Sequence, residues 1–366
     1  MKANTSRLTA VRRAAQTSFT QMKHFTFAAL VTLLLAGTNV TAQKDSTSTF
    51  HVGFIYPLST NGKAAGEISN RFSFHFLSGY SKNETGFALA GLANIIRNNA
   101  EGVQVAGLIN QVGGRASGAQ IAGIGNYVRD TTRGIQVAGV YNLSGAVDNQ
   151  VAGVFNHSKG NVRGVQVAGV GNRAVDVNSQ IGGFINIARH VSGVQLSGFL
   201  NIAESSDYSI GVINLIKNGE KGLGAQLDET MTTTIVFRSG GRKLYSIIGV
   251  GYNKRPGGDQ YLAMEGGLGA NWKFGPMFRL KSEAVSRSLM KSFDDDGVQM
   301  VTLRLLPALK VADKLEFFAG PSFSFTYYDK DDDDFNFPFR PVWTREKGDR
   351  FNGLNFGWTA GLQVHF

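Results

Sequence analysis

A nine-residue phrase recurs through the middle of the chain. "GVQVAGLIN" (Gly102 to Asn110) returns as "GAQIAGIGN" (Gly118 to Asn126), "GIQVAGVYN" (Gly134 to Asn142) and "GVQVAGVGN" (Gly164 to Asn172). The consensus is G-x-Q-x-A-G-x-x-N. Its closing asparagine appears nine times from Asn94 to Asn214, at intervals of 13 to 16 residues. The glutamine persists in seven copies, among them Gln104, Gln120 and Gln136. Asn110, Asn126, Asn142, Asn156 and Asn172 hold the central asparagine positions. The end copies degrade, with Ala88 in place of glutamine in the first and "SIGVIN" as the last, as the capping units of a stacked array do.

Each copy alternates. Val103, Val105 and Ile109 fall on one side of an extended chain, and Gln104, Ala106 and Asn110 on the other. The polar linkers between copies ("QVGGRAS", "YVRDTTR", "HSKGNVR") read as returns. Each repeat is therefore expected to be one strand plus a return, with valines packing on one face, an amide ladder on the other and the asparagine closing the turn. Two architectures fit. In a parallel β-solenoid, equivalent residues stack about 4.8 Å apart. In an up-and-down barrel, successive strands start on opposite sides, so the repeat should span two strands. The uniform short period favours the solenoid, of about nine rungs.

The flanks read differently. "LNFGWTAGLQVHF" sets Leu354, Phe356, Trp358, Ala360, Leu362, Val364 and Phe366 on one face and small or polar residues on the other. Leu244 to Tyr252, Leu262 to Trp272, Val301 to Leu305 and Leu315 to Tyr327 alternate in the same way. "ADK" (Ala312 to Lys314) is a tight turn, whereas "SFDDDG" and "YYDKDDDDFNFPFRP" suit longer loops. Short turns at one end and long loops at the other belong to membrane barrels. The expected all-β organisation is residues 43–85 as first barrel-type strands, 86–216 as the repeat array and 217–366 as further barrel strands.

Residues 1–42 read as a leader. Lys23 and His24 precede the apolar run Phe25 to Gly37, and Val40 and Ala42 supply an A-x-A-like cleavage site. Met22 opens a complete signal of its own, so Met1 and Met22 are both candidate starts. The run is shorter than the ~20 residues of a spanning helix.

These features resemble two known groups. The tandem G-x-Q-x-A-G-x-x-N units are similar to those of leptospiral-type bacterial surface-repeat proteins, and the flanks resemble an outer-membrane β-barrel. The resemblance implies an outer-membrane or cell-surface location. It also implies outer-membrane lipid and the barrel assembly machinery as partners, the latter through the last strand ending at Phe366.

Composition narrows the chemistry. There is no cysteine, which excludes disulfides, thiolate metal sites and thiol nucleophiles. Of the net +10, the leader contributes +5 through Lys2, Arg7, Arg12, Arg13 and Lys23 with no acid, and the rest is dispersed. That pattern gives no basic stripe for nucleic acid. The acidic runs offer Asp294, Asp296, Asp331 and Asp333 as candidate metal ligands. An EF-hand frame fails there, because Asp334 stands where glycine is needed and Arg340 where the bidentate glutamate is needed. Arg238, Glu265, Arg279, Lys281, Glu283 and Arg304 lie on strands with the parity of a barrel interior, where opposed charges pair or line a pore. His24, His51, His75, His157, His190 and His365 lie in no hydrolase motif. No cofactor is expected.

The sequence thus points to a non-enzymatic, exported outer-membrane or surface protein with a structural or adhesive role. The same features admit two alternatives. One is a pore of ~18 or more strands in which the repeats themselves span the membrane. The other is a membrane-embedded lipid hydrolase, for which His75 and His365 are the histidines to test.

Overall fold

The computed structural model describes residues 46–254, 260–292, 297–329 and 341–366. The four aspartates offered as metal ligands, and the leader, lie outside these residues. The described chain is all-β and has two parts, a parallel solenoid and a closed antiparallel barrel.

Each repeat holds two strands rather than one strand and a return. In the copy opened above these are Ala100–Ala106 and Ile109–Val112, joined by a corner at Gly107 and Leu108. Both stack in parallel on the equivalent strands of the next turn, with Gln104 opposite Gln120 and Asn110 opposite Asn126. Asn110 lies inside the second strand and does not close a turn. The corner glycine is required because the chain passes the corner of the turn below at backbone contact distance. A Cβ on Gly107, Gly123 or Gly139 would sit 2.0–2.1 Å from the carbonyl oxygen of the glycine one turn back. No L-side chain fits there without opening the stack.

Residues 46–85 are solenoid, not barrel. Ser46–Ile55 pairs in parallel with Ile68–His75, and that strand pairs in parallel with Asn83–Ala90. Two rungs therefore precede the nine sequence copies. The strong aromatic alternation of "FHVGFIYPLS" and "NRFSFHFLSGY" suits an outward apolar face in either fold, so parity alone did not separate them. The first rung is an exposed sheet edge. It is covered by its own antiparallel return, Gly53 opposite Ser59, followed by the short 3-10 turn Gly62–Glu67.

The barrel begins at Glu220, directly after the last rung. Among the described residues eight strands close it: Glu220–Asp228, Thr232–Gly240, Leu244–Lys254, Gln260–Lys273, Phe278–Met290, Val298–Lys310, Leu315–Asp329 and Arg350–His365. The last pairs with the first, with His365 opposite Gly222 and Thr359 opposite Asp228. The repeats contribute no barrel strand, so the ~18-strand pore does not describe this chain. The alternation expected of the flanks is present: Leu362 and Val364 face outward and Gln363 inward, and Leu303 and Leu305 face outward and Arg304 inward.

The two parts share one hydrogen-bonded sheet. Arg242 N–H donates to Ser206 O and Lys243 N–H to Asp207 O, both at 3.0 Å. The last rung thus lies beside the turn between Thr232–Gly240 and Leu244–Lys254. That turn, the turn at Ala312–Lys314 and the C-terminal Phe366 are at the same end of the barrel as Glu220.

Candidate functional site

Both parts put polar groups inside and apolar groups outside. In the solenoid the inward positions are the glutamine, the alanine and the asparagine of each copy, and Gln104, Gln120, Gln136, Asn110, Asn126 and Asn172 are fully buried. Their amides form two ladders. Each asparagine donates forward to the next, as from Asn110 to Asn126, Asn126 to Asn142 and Asn142 to Asn156, all at 2.9 Å. The glutamines donate backward, from Gln120 to Gln104 (2.9 Å) and from Gln150 to Gln136 and Gln166 to Gln150 (2.8 Å). The two rows of amide dipoles therefore run in opposite directions and offset one another. Asn142 also donates to Gln136 O (3.3 Å) and Val151 O (2.7 Å), which satisfies backbone freed at the corner. Asn142 is thus fully engaged. In the glutamine column Gln120 Oε1 and Gln136 Nε2 have no partner, so that ladder is interrupted between these two turns.

The asparagine ladder ends at the barrel. The Asn214 amide donates to Ser239 O (3.1 Å) and Ser246 Oγ (3.0 Å), which ties the last rung to the barrel base. At the other end the interior is capped by a polar cluster that sequence reasoning missed. His51 and Ser73 occupy the glutamine column, and Asn70 and Glu84 stack beside them. Ser73 Oγ donates to Glu84 (2.8 Å), Asn70 Nδ2 to Glu84 (3.2 Å), and His51 Nε2 lies 3.0 Å from Ser59 Oγ. In the glutamine column the turns before Gln104 carry Ala88, Ser73 and His51 in place of the amide.

His51, Ser59 and Asn70 have the outline of a nucleophile–base pair, but the hydrogen bonds run the wrong way. Asn61 donates to Asn70 Oδ1, which turns Asn70 Nδ2 toward His51 Nδ1. Nδ1 then accepts, so Nε2 carries the proton and points it at Ser59. A histidine in that tautomer cannot take the serine proton. His75 packs against the ring of His51 and also belongs to this cap.

Burial raises the Glu84 carboxyl to about 7, and holds His75 down to about 4 with the His51 charge as a second cause. The two act oppositely on stability. Folded Glu84 holds its proton more tightly than the unfolded chain does. Its contribution is complete below about 4.5 and is lost as pH rises to about 7. Folded His75 is the reverse, and its contribution is lost as pH falls from 6.5 toward 4. Glu84→Gln should therefore remove the loss on the alkaline side, worth about 2–3 kcal/mol between those limits, and leave the acid-side loss. Thermal melts between pH 4.5 and 7.5 check this. An unchanged slope would assign the titration elsewhere.

The barrel interior is an ion-pair network. Arg238, Arg279, Lys281, Arg287 and Arg304 meet Glu220, Asp228, Glu265, Glu283 and Glu316. Arg238 Nε donates to Glu283 (2.8 Å), and its other arm reaches Gln226 (2.9 Å). Glu265 accepts from Arg287 (2.8 Å), Arg304 (3.0 Å) and Gln226 (2.8 Å). Near the base, Arg279 and Gln363 both donate to Glu220 at 2.7 Å. The six charges expected inside are all inside. Arg287 and Glu316 share their parity and were legible by the same rule.

Outside, the barrel carries an apolar belt with aromatic residues at both rims: Trp272, Phe274, Phe278 and Phe366 near the short turns, and Tyr252, Tyr327 and Trp343 toward the other end. Where the solenoid meets the barrel base, a groove of about 940 Å³ runs along the outer face of the second strands. His157, Arg173, Ile187, Ile202 and Leu215 form one wall and Phe366 closes it at the barrel.

No family model matches the chain, and no curated protein matches it. Among solved structures, one of de novo designed transmembrane β-barrels is similar at 12% identity and a TM-score of 0.25, over 40% of this chain and 93% of that one.

Proposed function

We propose that this is an outer-membrane protein with a structural role. Its eight-stranded barrel is the lipid-embedded anchor, and its solenoid is a rigid scaffold on the periplasmic side. The carrying observation is the pattern of the barrel wall: an apolar belt bounded by aromatic rims outside, and a paired charge network inside. A water-soluble barrel would reverse this pattern. In outer-membrane barrels the short turns face the periplasm. The solenoid joins this barrel beside its short turns, which favours a periplasmic scaffold over an adhesive array displayed on the cell surface. The likeness of the repeats to bacterial surface-repeat proteins supports an envelope location. The interlocked amides and the tautomer held at His51 support a non-catalytic reading. The paired lumen supports an anchor rather than a pore.

In planar bilayers the purified full-length protein should insert without steady ion current, and it should migrate differently in SDS gels before and after boiling. Stable single-channel steps would instead make it a pore. A purely soluble, heat-insensitive protein would remove the membrane reading altogether.

A further inference from the structure

The solenoid surface is amphipathic around its circumference. Where most parallel solenoids bury their aliphatic ladders, this one buries amides and turns the aliphatic ladders outward. At the corner, Leu92, Leu108, Ile124, Val140, Val154 and Val170 succeed one another from turn to turn, each N–H bonded to the preceding corner carbonyl at 2.7–3.1 Å. All are at least 37% exposed. Flanking them are the outward residues of both strands, such as Leu89, Ile121, Val151 and Ile181 on the first and Phe155, Ile185 and Leu200 on the second. Aromatic rings stack outside as well, Phe54 on Phe76 and Phe184 on Phe199, both at 5.1 Å. The remaining side of each turn is polar, with Arg115, Arg133 and Arg163 on it.

An apolar ridge running the length of an eleven-rung stack is far larger than isolated surface leucines, and a continuous exposed patch of that kind marks a partner. Two observations identify the partner. First, the ridge is continuous with the barrel's lipid belt. Ile202 and Leu215 line the same groove as Phe366, whose ring stacks on Phe237 of the barrel wall at 6.4 Å. Second, the rim of that groove is basic. Lys159, Arg173, Arg189, Lys217 and Lys221 converge there, against Glu204. Arg189 is shared with Asp176 at 3.4 Å. Burial, with the positive fields of Arg173 and Lys159 as lesser causes, lowers the His157 pKa. Apolar surface bordered by lysine and arginine is the chemistry of a bilayer's acyl–headgroup boundary.

We propose that the solenoid lies along the periplasmic leaflet beside the barrel, with the glycine corner immersed among acyl chains and the basic groove holding anionic phospholipid headgroups. The proposal rests on the membrane reading of the barrel and adds the lipid partner of the solenoid.

The cysteine-free chain allows a direct test. Val154→Cys (corner) and Arg115→Cys (polar side) are labelled with an environment-sensitive fluorophore, and the full-length protein is reconstituted in phosphatidylcholine vesicles containing phosphatidylglycerol. Spin-labelled acyl chains should quench the label at 154 and spare the one at 115. Equal, water-like behaviour at both sites, in protein that still shows the heat-dependent gel shift, would overturn the proposal and leave the barrel reading intact. Loss of the gel shift in the unlabelled wild type would instead sink the barrel reading. For the groove, retention of phosphatidylglycerol over phosphatidylcholine is measured by native mass spectrometry. Arg173→Gln with Lys217→Gln should reduce that preference by about fivefold per charge. An unchanged preference would overturn the headgroup assignment. So would full competition by inorganic phosphate in detergent, which would make the groove a site for free anions.

Discussion

Glu265→Leu should abolish the compact, heat-modifiable form of the barrel. The Glu265 carboxylate lies between Arg287 and Arg304 and accepts the Gln226 amide as well. Leucine there leaves the buried Arg304 with Glu283 3.7 Å away as its remaining carboxylate. Removing one partner of a buried ion pair costs about 3–5 kcal/mol, because the surviving charge stays desolvated. That is a large part of the ~5–15 kcal/mol by which domains are stable. The double change Glu265→Met with Arg304→Met should recover much of the fold, since Arg287 keeps Asp228 and no charge is stranded. Folding yield into detergent micelles, read from the gel shift, compares the three proteins. A single variant that folds as well as wild type would mean the network fills space without holding the barrel.

Asn142→Leu should break the solenoid in the middle. The side chain receives the Asn126 amide and donates to Asn156, Gln136 O and Val151 O. Leucine deletes all four bonds and leaves their buried partners unsatisfied. Each orphaned buried group costs about 1–3 kcal/mol, so the site should lose about 3 kcal/mol or more. Rungs contact only their neighbours, so damage stays local. Limited proteolysis should cut near this rung while the barrel remains protected. A substitution at Val140, whose side chain faces outward, should leave the protease pattern unchanged in micelles.

Much of this molecule was legible in its sequence, and the parts that were not share a cause. Two-residue alternation gave the outward and inward faces of Leu262 to Trp272, of Val301 to Leu305 and of the last strand. It also put Arg238, Glu283 and Arg304 inside. Periodicity separated the solenoid from a large barrel because only parallel stacking lets every unit be alike. What alternation cannot report is pairing direction. The aromatic strands around Phe50 and Phe72 alternate like barrel strands, yet they pair in parallel and are the first rungs. Nor does it say which face is the core. Valines beside glutamines suggested an apolar packing face, and the structure turns Val105 and Val151 outward and buries Gln104 and Gln150. The second strand beyond Gly107 went unread for a related reason. A two-residue bend between strands leaves the alternation almost undisturbed, so two strands looked like one. The Glu84 cap was hidden by its assignment to the barrel flank.

The central claim is a membrane barrel carrying its solenoid on the periplasmic side. The most direct measurement is labelling of two single-cysteine variants, Arg115→Cys on the polar side of the solenoid and Asp349→Cys at the opposite end of the barrel, with a membrane-impermeant maleimide. In intact cells the label should reach position 349 and miss 115, and permeabilising the outer membrane should expose 115. Labelling of 115 in intact cells, with 349 protected, would contradict the account and turn the solenoid outward.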